Sequence, residues 1–166
     1  YDSNTLATTF GRAEVQRHFT NYFRFGGFPE GARLASKRDY INSVYQKIYL
    51  GDIASRNKIE NQFSLRVLFR KLAESVKQPI SFTRLTNIIA STGAKLSKPT
   101  LINYLEYSKD AFLVYPIKNI ADNLTQRETN PKYYFVDNGI ISILAMDVDT
   151  SLLENMVAIE LLRRYG

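Results

Sequence analysis

Apolar residues recur every three or four positions along most of the chain, a spacing that places them on one face of an α-helix. The first such segment covers residues 11–25. A second, longer segment covers residues 39–59 and contains Gly51, a residue that can interrupt a helix. A third segment covers residues 61–76 and is closed by Pro79. The pattern of the first half therefore predicts helices that pack on one another.

The segment 81–116 has a different order, namely helix, tight turn, helix and strand. Its turn contains Gly93, and Ser97 is a favourable N-cap for the helix that follows. Residues 112–115 and 132–136 are rich in β-formers, and a long polar loop is expected between them, as in a wing. The predicted fold class is therefore mainly α, with a helical bundle that leads into a winged helix-turn-helix with a small two- to three-stranded β wing.

The same pattern divides the chain into three predicted segments. Residues 1–78 form a helical linker or lid, residues 79–146 form the winged-helix domain, and residues 147–166 form the first helix of a C-terminal domain. The motif SLLE at 151–154 matches a capping box, in which the Ser hydroxyl and the Glu carboxylate satisfy reciprocal backbone donors. The chain begins at Tyr1 without a methionine, and we expect a fragment of a longer protein.

Composition narrows the classes of function. The chain has 166 residues, of which 45% are hydrophobic and 13% aromatic, and this content can build a core. Cysteine is absent and His18 is the single histidine, so disulfides, thiolate nucleophiles and multi-histidine metal sites are excluded. No apolar run reaches membrane-spanning length and no secretory signal is visible, so a cytoplasmic protein without a membrane partner is expected. No phosphate-binding P-loop motif occurs, and we predict no catalytic, metal or cofactor residues in this chain.

The net charge of +6 and the isoelectric point of about 9.5 favour an anionic partner such as double-stranded DNA. Lys and Thr side chains reach phosphates, Asn can pair with adenine, and a helix N-terminus attracts a phosphate group. The predicted nucleic-acid-binding residues are Lys98, Thr100, Asn103 and Tyr107 on the recognition helix and Lys118, Arg127 and Lys132 on the wing.

A second interpretation stays open. Glu106 and Asp110 on the predicted recognition helix would repel phosphate, and that helix contains no arginine. Since one fold supports many functions, a winged helix can also serve only to contact another domain. The first hypothesis is therefore a DNA-binding module, and the alternative is a protein–protein or interdomain regulatory module without DNA contact.

Two carboxylates favour structural roles over catalysis. Asp52 lies at the edge of an apolar helix, and an ion pair with Arg56 one turn later is expected. Asp137 follows a strand and precedes Gly139, a position at which we predict a turn or a helix cap.

Five short motifs occur in a fixed order along the chain. They are GGFPE at 26–30, YLGDI at 49–53, TLINYL at 100–105, KYYFVDNG at 132–139 and LENMV at 153–157, with EL at 160–161. This ordered set resembles the region that follows the ATPase core in prokaryotic AAA-type P-loop ATPases that carry a DUF4143 domain. The chain departs from that pattern at Ser108, where an apolar residue is expected.

The resemblance implies a non-catalytic module, truncated at both ends, of a multidomain protein that is itself an ATPase. ATP and Mg would then be bound by a missing N-terminal domain, and this ATPase domain would be a partner of the present chain. The resemblance also implies that the helix of Glu154 opens a domain similar to the PD-(D/E)XK nuclease fold, which would be inactive without the residues after Gly166.

Overall fold

The computed structural model describes residues 8–165, which are mainly helical and include a small antiparallel sheet. This bears out the coarse prediction of a mainly α fold with a small β element. The helices are α1 (Thr9–Phe25), α2 (Lys37–Gln46), α3 (Gln62–Glu74), α4 (Phe82–Ser91), α5 (Lys98–Asp110), α6 (Leu124–Thr129), α7 (Asn138–Leu144) and α8 (Asp149–Tyr165). A 3-10 helix covers Pro29–Arg33 and a π-helix covers Lys47–Ser55, while the strands are β1 (Val114–Ile117) and β2 (Lys132–Phe135).

The long helix predicted for residues 39–59 changes geometry partway along. It is α-helical up to Gln46 and continues directly as the π-helix, which contains Gly51. Tyr45 and Tyr49, on either side of this junction, are buried and stack with their ring centroids 5.6 Å apart. Both rings meet Phe69 of α3 edge-on, at 6.4 and 6.2 Å. Stacked and edge-on aromatic pairs are favourable in a core, so these aromatic residues hold α2 and the π-helix against α3.

The two strands pair in antiparallel register, with Val114 opposite Phe135 and Ile117 opposite Lys132. The stretch between them was predicted to be a polar loop, and that prediction is wrong because it contains α6. This helix begins at the cap Asn123, whose side-chain oxygen accepts a hydrogen bond from the backbone N–H of Gln126. None of its residues is buried, so the regular spacing of apolar residues that identifies most helices is missing here.

The outer edge of β2 is covered at both ends. The backbone N–H of Ile80, just before α4, donates to the carbonyl of Pro131 at 3.2 Å. The side chain of Asn155 on α8 bonds both the N–H and the C=O of Phe135, at 2.7 and 3.0 Å. Covering an edge in this way removes unpaired backbone groups that another strand could otherwise use.

The last helix begins at Asp149, two residues before the capping box that was predicted at 151–154. Glu154 does not cap the helix start, because its carboxylate instead accepts hydrogen bonds from Lys132 and Tyr134 of β2. The capping-box prediction is therefore wrong, and this carboxylate helps to dock α8 on the sheet.

A single hydrophobic cluster includes buried residues from all three predicted segments, among them Leu65, Leu101 and Leu152. The domain boundaries at 78 and 146 stay predictions. Within residues 8–165, no helix has both the length and the hydropathy needed to cross a bilayer.

Candidate nucleic-acid interface

The N-terminal end of α5 is built as the sequence predicts. Ser97 is the N-cap, and its side-chain oxygen accepts a hydrogen bond from the backbone N–H of Thr100 at 3.2 Å. Pro99 lies in the first turn, where its missing N–H removes no helical hydrogen bond. The Ser97 and Thr100 hydroxyls are 2.7 Å apart. This end of the helix is exposed, so its dipole favours a nearby negative charge.

The buried face of α5 consists of Leu101, Tyr104, Leu105 and Ser108. Ser108 is fully buried, and its hydroxyl donates to the carbonyl of Tyr104 one turn earlier. That bond satisfies the hydroxyl and explains how a polar residue occupies a position where an apolar one was expected.

The four site residues predicted on this helix lie outside the buried face. Lys98 and Asn103 are exposed, whereas Thr100 and Tyr107 are half-buried. Tyr107 also packs against the core cluster, so only part of its ring is open to a ligand.

Three cations in this region have no carboxylate partner among residues 8–165. They are Lys98 in the first turn of α5, Lys95 three residues before it, and Arg84 next to Thr83 on α4. The ammonium group of Lys98 lies 3.5 Å from the hydroxyl of Thr83 on α4. The carbonyl of Lys95 accepts a hydrogen bond from the side chain of Asn61, which holds the turn against α3. We call Arg84, Lys95, Lys98, Thr100 and Asn103 the α5 N-terminal surface.

The acidic residues of α5 lie at its other end. Glu106 is eight residues after Lys98, or about 12 Å along the helix axis. Its carboxylate pairs with Lys109 at 3.0 Å, and this contact raises the pKa of Lys109 above its ordinary value. Asp110 closes the helix. The repulsion expected from Glu106 and Asp110 therefore falls mainly on the C-terminal end.

Two of the predicted wing residues are held within the wing. Lys118 pairs with Glu128 of α6. The guanidinium of Arg127 donates to the carbonyls of Ile120 and Asp122, at 2.9 and 3.2 Å. These bonds shape the loop between β1 and α6, and contact of either cation with a nucleic acid stays a prediction.

Lys132 points toward α8. Its ammonium group is 2.8 Å from the Glu154 carboxylate, which also accepts a hydrogen bond from the Tyr134 hydroxyl at 2.9 Å. Burial and the contact with Glu154 raise the pKa of Tyr134 to about 12. Burial alone would raise the pKa of Glu154, but the hydrogen bonds from Lys132 and Tyr134 outweigh it and lower that pKa. Lys132 is thus already paired with a carboxylate, and a contact between Lys132 and nucleic acid would compete with this ion pair.

We expect Glu154→Gln to lower the free energy of unfolding by about 1 kcal/mol at pH 7, a small value because the pair is partly exposed. The folded-state pKa of Glu154 lies below its ordinary value of 4.5. Its contribution is therefore present above pH 4.5 and is lost as the pH falls through the folded-state pKa. Urea unfolding of the wild type and the variant at pH 7 and at about pH 3 measures the difference.

Glu106→Gln is the matched control for this prediction, because it removes the same charge from an exposed pair on α5 and should change stability little. An equal difference between wild type and Glu154→Gln at both pH values would contradict the role of the charged carboxylate.

The sequence predicted only one part of a buried polar network, the cap formed by Asp137. Asp137 caps α7 as predicted, since one of its carboxylate oxygens accepts from the N–H of Gly139 at 2.7 Å. Its other oxygen accepts from the N–H of Gly27 at 2.7 Å, a contact 110 residues distant along the chain. Burial raises the pKa of Asp137, and the two backbone hydrogen bonds partly offset that shift. The network continues through the buried amides of Asn138 and Asn155, 3.1 Å apart.

The other carboxylate predictions give a simpler result. The expected ion pair between Asp52 and Arg56 is not formed, and both residues are exposed on the π-helix or just after it. Among residues 8–165, no group of three or more His, Asp or Glu side chains is arranged to hold a metal ion.

Comparison with known proteins gives a family without an assigned activity. The sequence model described as "Domain of unknown function (DUF8612)" matches residues 16–162. An uncharacterized protein of Methanocaldococcus jannaschii is 28% identical over 161 residues, which is 95% of this chain and 36% of that protein. An uncharacterized protein of Haemophilus influenzae is 30% identical over 156 residues, which is 90% of this chain and 39% of that protein. The chain thus spans less than two fifths of the length of these relatives, and no solved structure matches it.

These findings correct the assignment made from the five motifs. The matching family is neither DUF4143 nor an AAA-type ATPase, so that resemblance is wrong. The ATPase partner, the ATP and Mg of a missing domain and the nuclease-like role of Glu154 depended on it and lose their basis. Because the family match covers residues 16–162, the chain belongs to the family of the domain of unknown function DUF8612.

Proposed function

We propose that this domain is a winged-helix module that binds double-stranded DNA through the α5 N-terminal surface. The observation that carries the proposal is the exposed and capped start of α5, with Lys98 in its first turn, Lys95 before it and Arg84 on the adjacent α4. None of these cations has a carboxylate partner among residues 8–165. A helix N-terminus and adjacent Lys and Arg side chains form a favourable environment for phosphate groups.

The order of elements supports the winged-helix part of the proposal. Three helices, α3 to α5, precede the β1–β2 hairpin, and α5 follows α4 after a short turn that contains Gly93. The hydrogen bond from Ile80 to Pro131 joins the segment just before α4 to the residue that precedes β2. The sheet has two strands in the described part of the chain, so the proposed wing takes its two-stranded form.

In this proposal, the exposed face of α5 enters the major groove, whose width admits an α-helix. Lys98 and Thr100 in the first turn contact phosphates, and Asn103 lies one turn deeper, where its amide can reach a base edge. The C-terminal end of α5, with Glu106 and Asp110, stays outside the groove.

Fluorescence anisotropy of a labelled duplex DNA across a salt series tests the proposal. We expect binding at low salt that weakens linearly on a log–log plot, because each phosphate contact releases condensed counterions. Absence of binding at low salt, or binding that is insensitive to salt, would overturn it.

Lys98→Ala should weaken binding by about fivefold and reduce the salt slope by about 1, since one phosphate contact is lost. Lys47→Ala is the matched control, because it makes the same change in net charge at an exposed lysine on the π-helix. If both variants weaken binding equally, the interaction depends on overall charge and not on the α5 N-terminal surface.

A further inference from the structure

A cleft lies where α1, α2 and α3 meet α7, α8 and the segment 145–148 that joins the last two helices. It has a volume of about 1250 Å³, and all of its lining residues belong to these elements. Clefts of about 300–1,000 Å³ are typical of small-molecule sites, so this one has room for an organic ligand. The cleft shares no lining residue with the α5 N-terminal surface, so a ligand held here would be separate from the proposed DNA contact.

Three arginines from three different helices line the cleft, namely Arg24 of α1, Arg38 of α2 and Arg70 of α3. Arg24 is paired with Asp149, with 3.3 Å between the two charged groups. In the part of the chain that the structure describes, Arg38 and Arg70 have no carboxylate partner. Both side chains are exposed, so their guanidinium groups are open to a ligand that carries negative charge.

The carboxylates that line the cleft offset this charge only in part. Glu74 is paired with Lys71 at 3.0 Å, and Asp149 is paired with Arg24. Within residues 8–165, Asp147 is the lining carboxylate that has no cationic partner. Since two lining arginines and one lining aspartate are unpaired, the excess charge in the cleft is positive.

Much of the cleft wall is apolar. Phe25, Leu144 and Val148 are half-buried where they line it, and Leu152 is buried. Apolar walls gain free energy when an apolar surface displaces the water that covers them, and a hydrated inorganic ion offers no such surface. The cleft therefore combines two kinds of contact, a cationic one and an apolar one.

We propose that this cleft binds a small organic anion. Its phosphate or carboxylate group contacts Arg38 and Arg70, and its apolar or aromatic body lies against the apolar wall. The planar fork of N–H donors on a guanidinium matches both kinds of anionic group, which is why one chemistry covers the two.

The dye anilinonaphthalene sulfonate has this combination, an anionic group on an aromatic body, and its fluorescence titration tests the proposal. Arg38→Gln and Arg70→Gln should each raise the dissociation constant of the dye at least about fivefold, because each variant loses a charge-assisted contact. Both positions are exposed, so the domain should stay folded in each variant, and urea unfolding checks this.

Arg56→Gln is the matched control, because it removes the same charge from an exposed arginine that follows the π-helix and does not line the cleft. It should leave the dissociation constant of the dye unchanged. Phenylnaphthylamine, the same ring system without the sulfonate, should not respond to Arg38→Gln or Arg70→Gln. If all three arginine variants weaken dye binding equally, or if the neutral dye is weakened in parallel, the proposal is overturned.

Competition against the dye identifies the anionic group. Naphthyl phosphate and naphthoate carry the two groups on the same rings, and the one that displaces the dye at the lower concentration shows which group the cleft prefers. Displacement by either compound supports the proposal, and displacement by neither overturns it. Lys98→Ala should leave dye binding unchanged, so the test of this cleft and the test of DNA binding can fail separately.

Discussion

Asn155→Leu should lower the free energy of unfolding by about 3–5 kcal/mol. The Asn155 side chain is fully buried, and its carbonyl oxygen accepts from the N–H of Phe135 at 2.7 Å. Its amide donates to the C=O of Phe135 at 3.0 Å and to the side-chain oxygen of Asn138 at 3.1 Å. Leucine has a similar volume, so little cavity forms, but three buried polar groups lose a partner. Each such group costs about 1–3 kcal/mol when it is left unsatisfied.

The cost should be large because Asn155 belongs to a buried amide network that connects several elements. It occupies the position that a further strand would take at the edge of β2. Asn138, its neighbour in the network, donates in turn to the carbonyls of Phe23 and Leu152, at 2.9 and 3.0 Å. The two amides thus join α1, β2, α7 and α8, and a fully satisfied network of this kind fixes one arrangement of the elements.

Asn87→Leu is the matched control for Asn155→Leu. Asn87 is exposed on α4, and the same substitution there should change stability by no more than about 0.5 kcal/mol. Urea unfolding measures both variants, and hydrogen exchange at the Phe135 amide should become faster only in Asn155→Leu. A loss below about 1 kcal/mol with unchanged exchange would show that the amide network does not support the sheet.

The parts of the fold that sequence reasoning predicted are those set by local chemistry. The helical pairs and their turn follow from apolar spacing, and the caps Ser97 and Asp137 follow from side chains that bond the backbone two or three residues later. The short helix α6 was missed because Leu124, its main apolar residue, is exposed. The helix therefore has no regularly spaced buried apolar residues from which it could be predicted.

The parts that failed depend on partners distant in the chain. The sequence identified Lys132 as a cation but not its partner Glu154, which is 22 residues away. Because the Glu154 carboxylate is bonded to Lys132 and Tyr134, it does not form the capping box that was predicted at 151–154. The five motifs also led to the wrong family. Three of their residues, Gly26, Asp137 and Asn155, make contacts that stabilise this domain. Contacts within one domain do not show which other domains are joined to it.

Gly26→Ala should lower the free energy of unfolding by about 3–4 kcal/mol. Gly26 ends α1 with φ at 75° and ψ at −169°, backbone angles that are essentially limited to glycine and cost another residue about 1–3 kcal/mol. In addition, a Cβ at this position would overlap the carboxylate of Asp137. That carboxylate holds the backbone N–H groups of Gly27 and Gly139, each at 2.7 Å, so it cannot move aside without losing both hydrogen bonds.

Gly93→Ala separates the conformational cost from the cost of the overlap with Asp137. Gly93 has a similar φ of 84°, but a Cβ there would meet no atom within 4 Å, so only the conformational cost of about 1–2 kcal/mol should appear. Urea unfolding of both variants gives the excess for Gly26→Ala, and this excess measures the contact between the end of α1 and Asp137. If the two alanine variants are equally destabilised, Asp137 adapts at no cost. The carboxylate would then not be the element that fixes the α1–α7 junction.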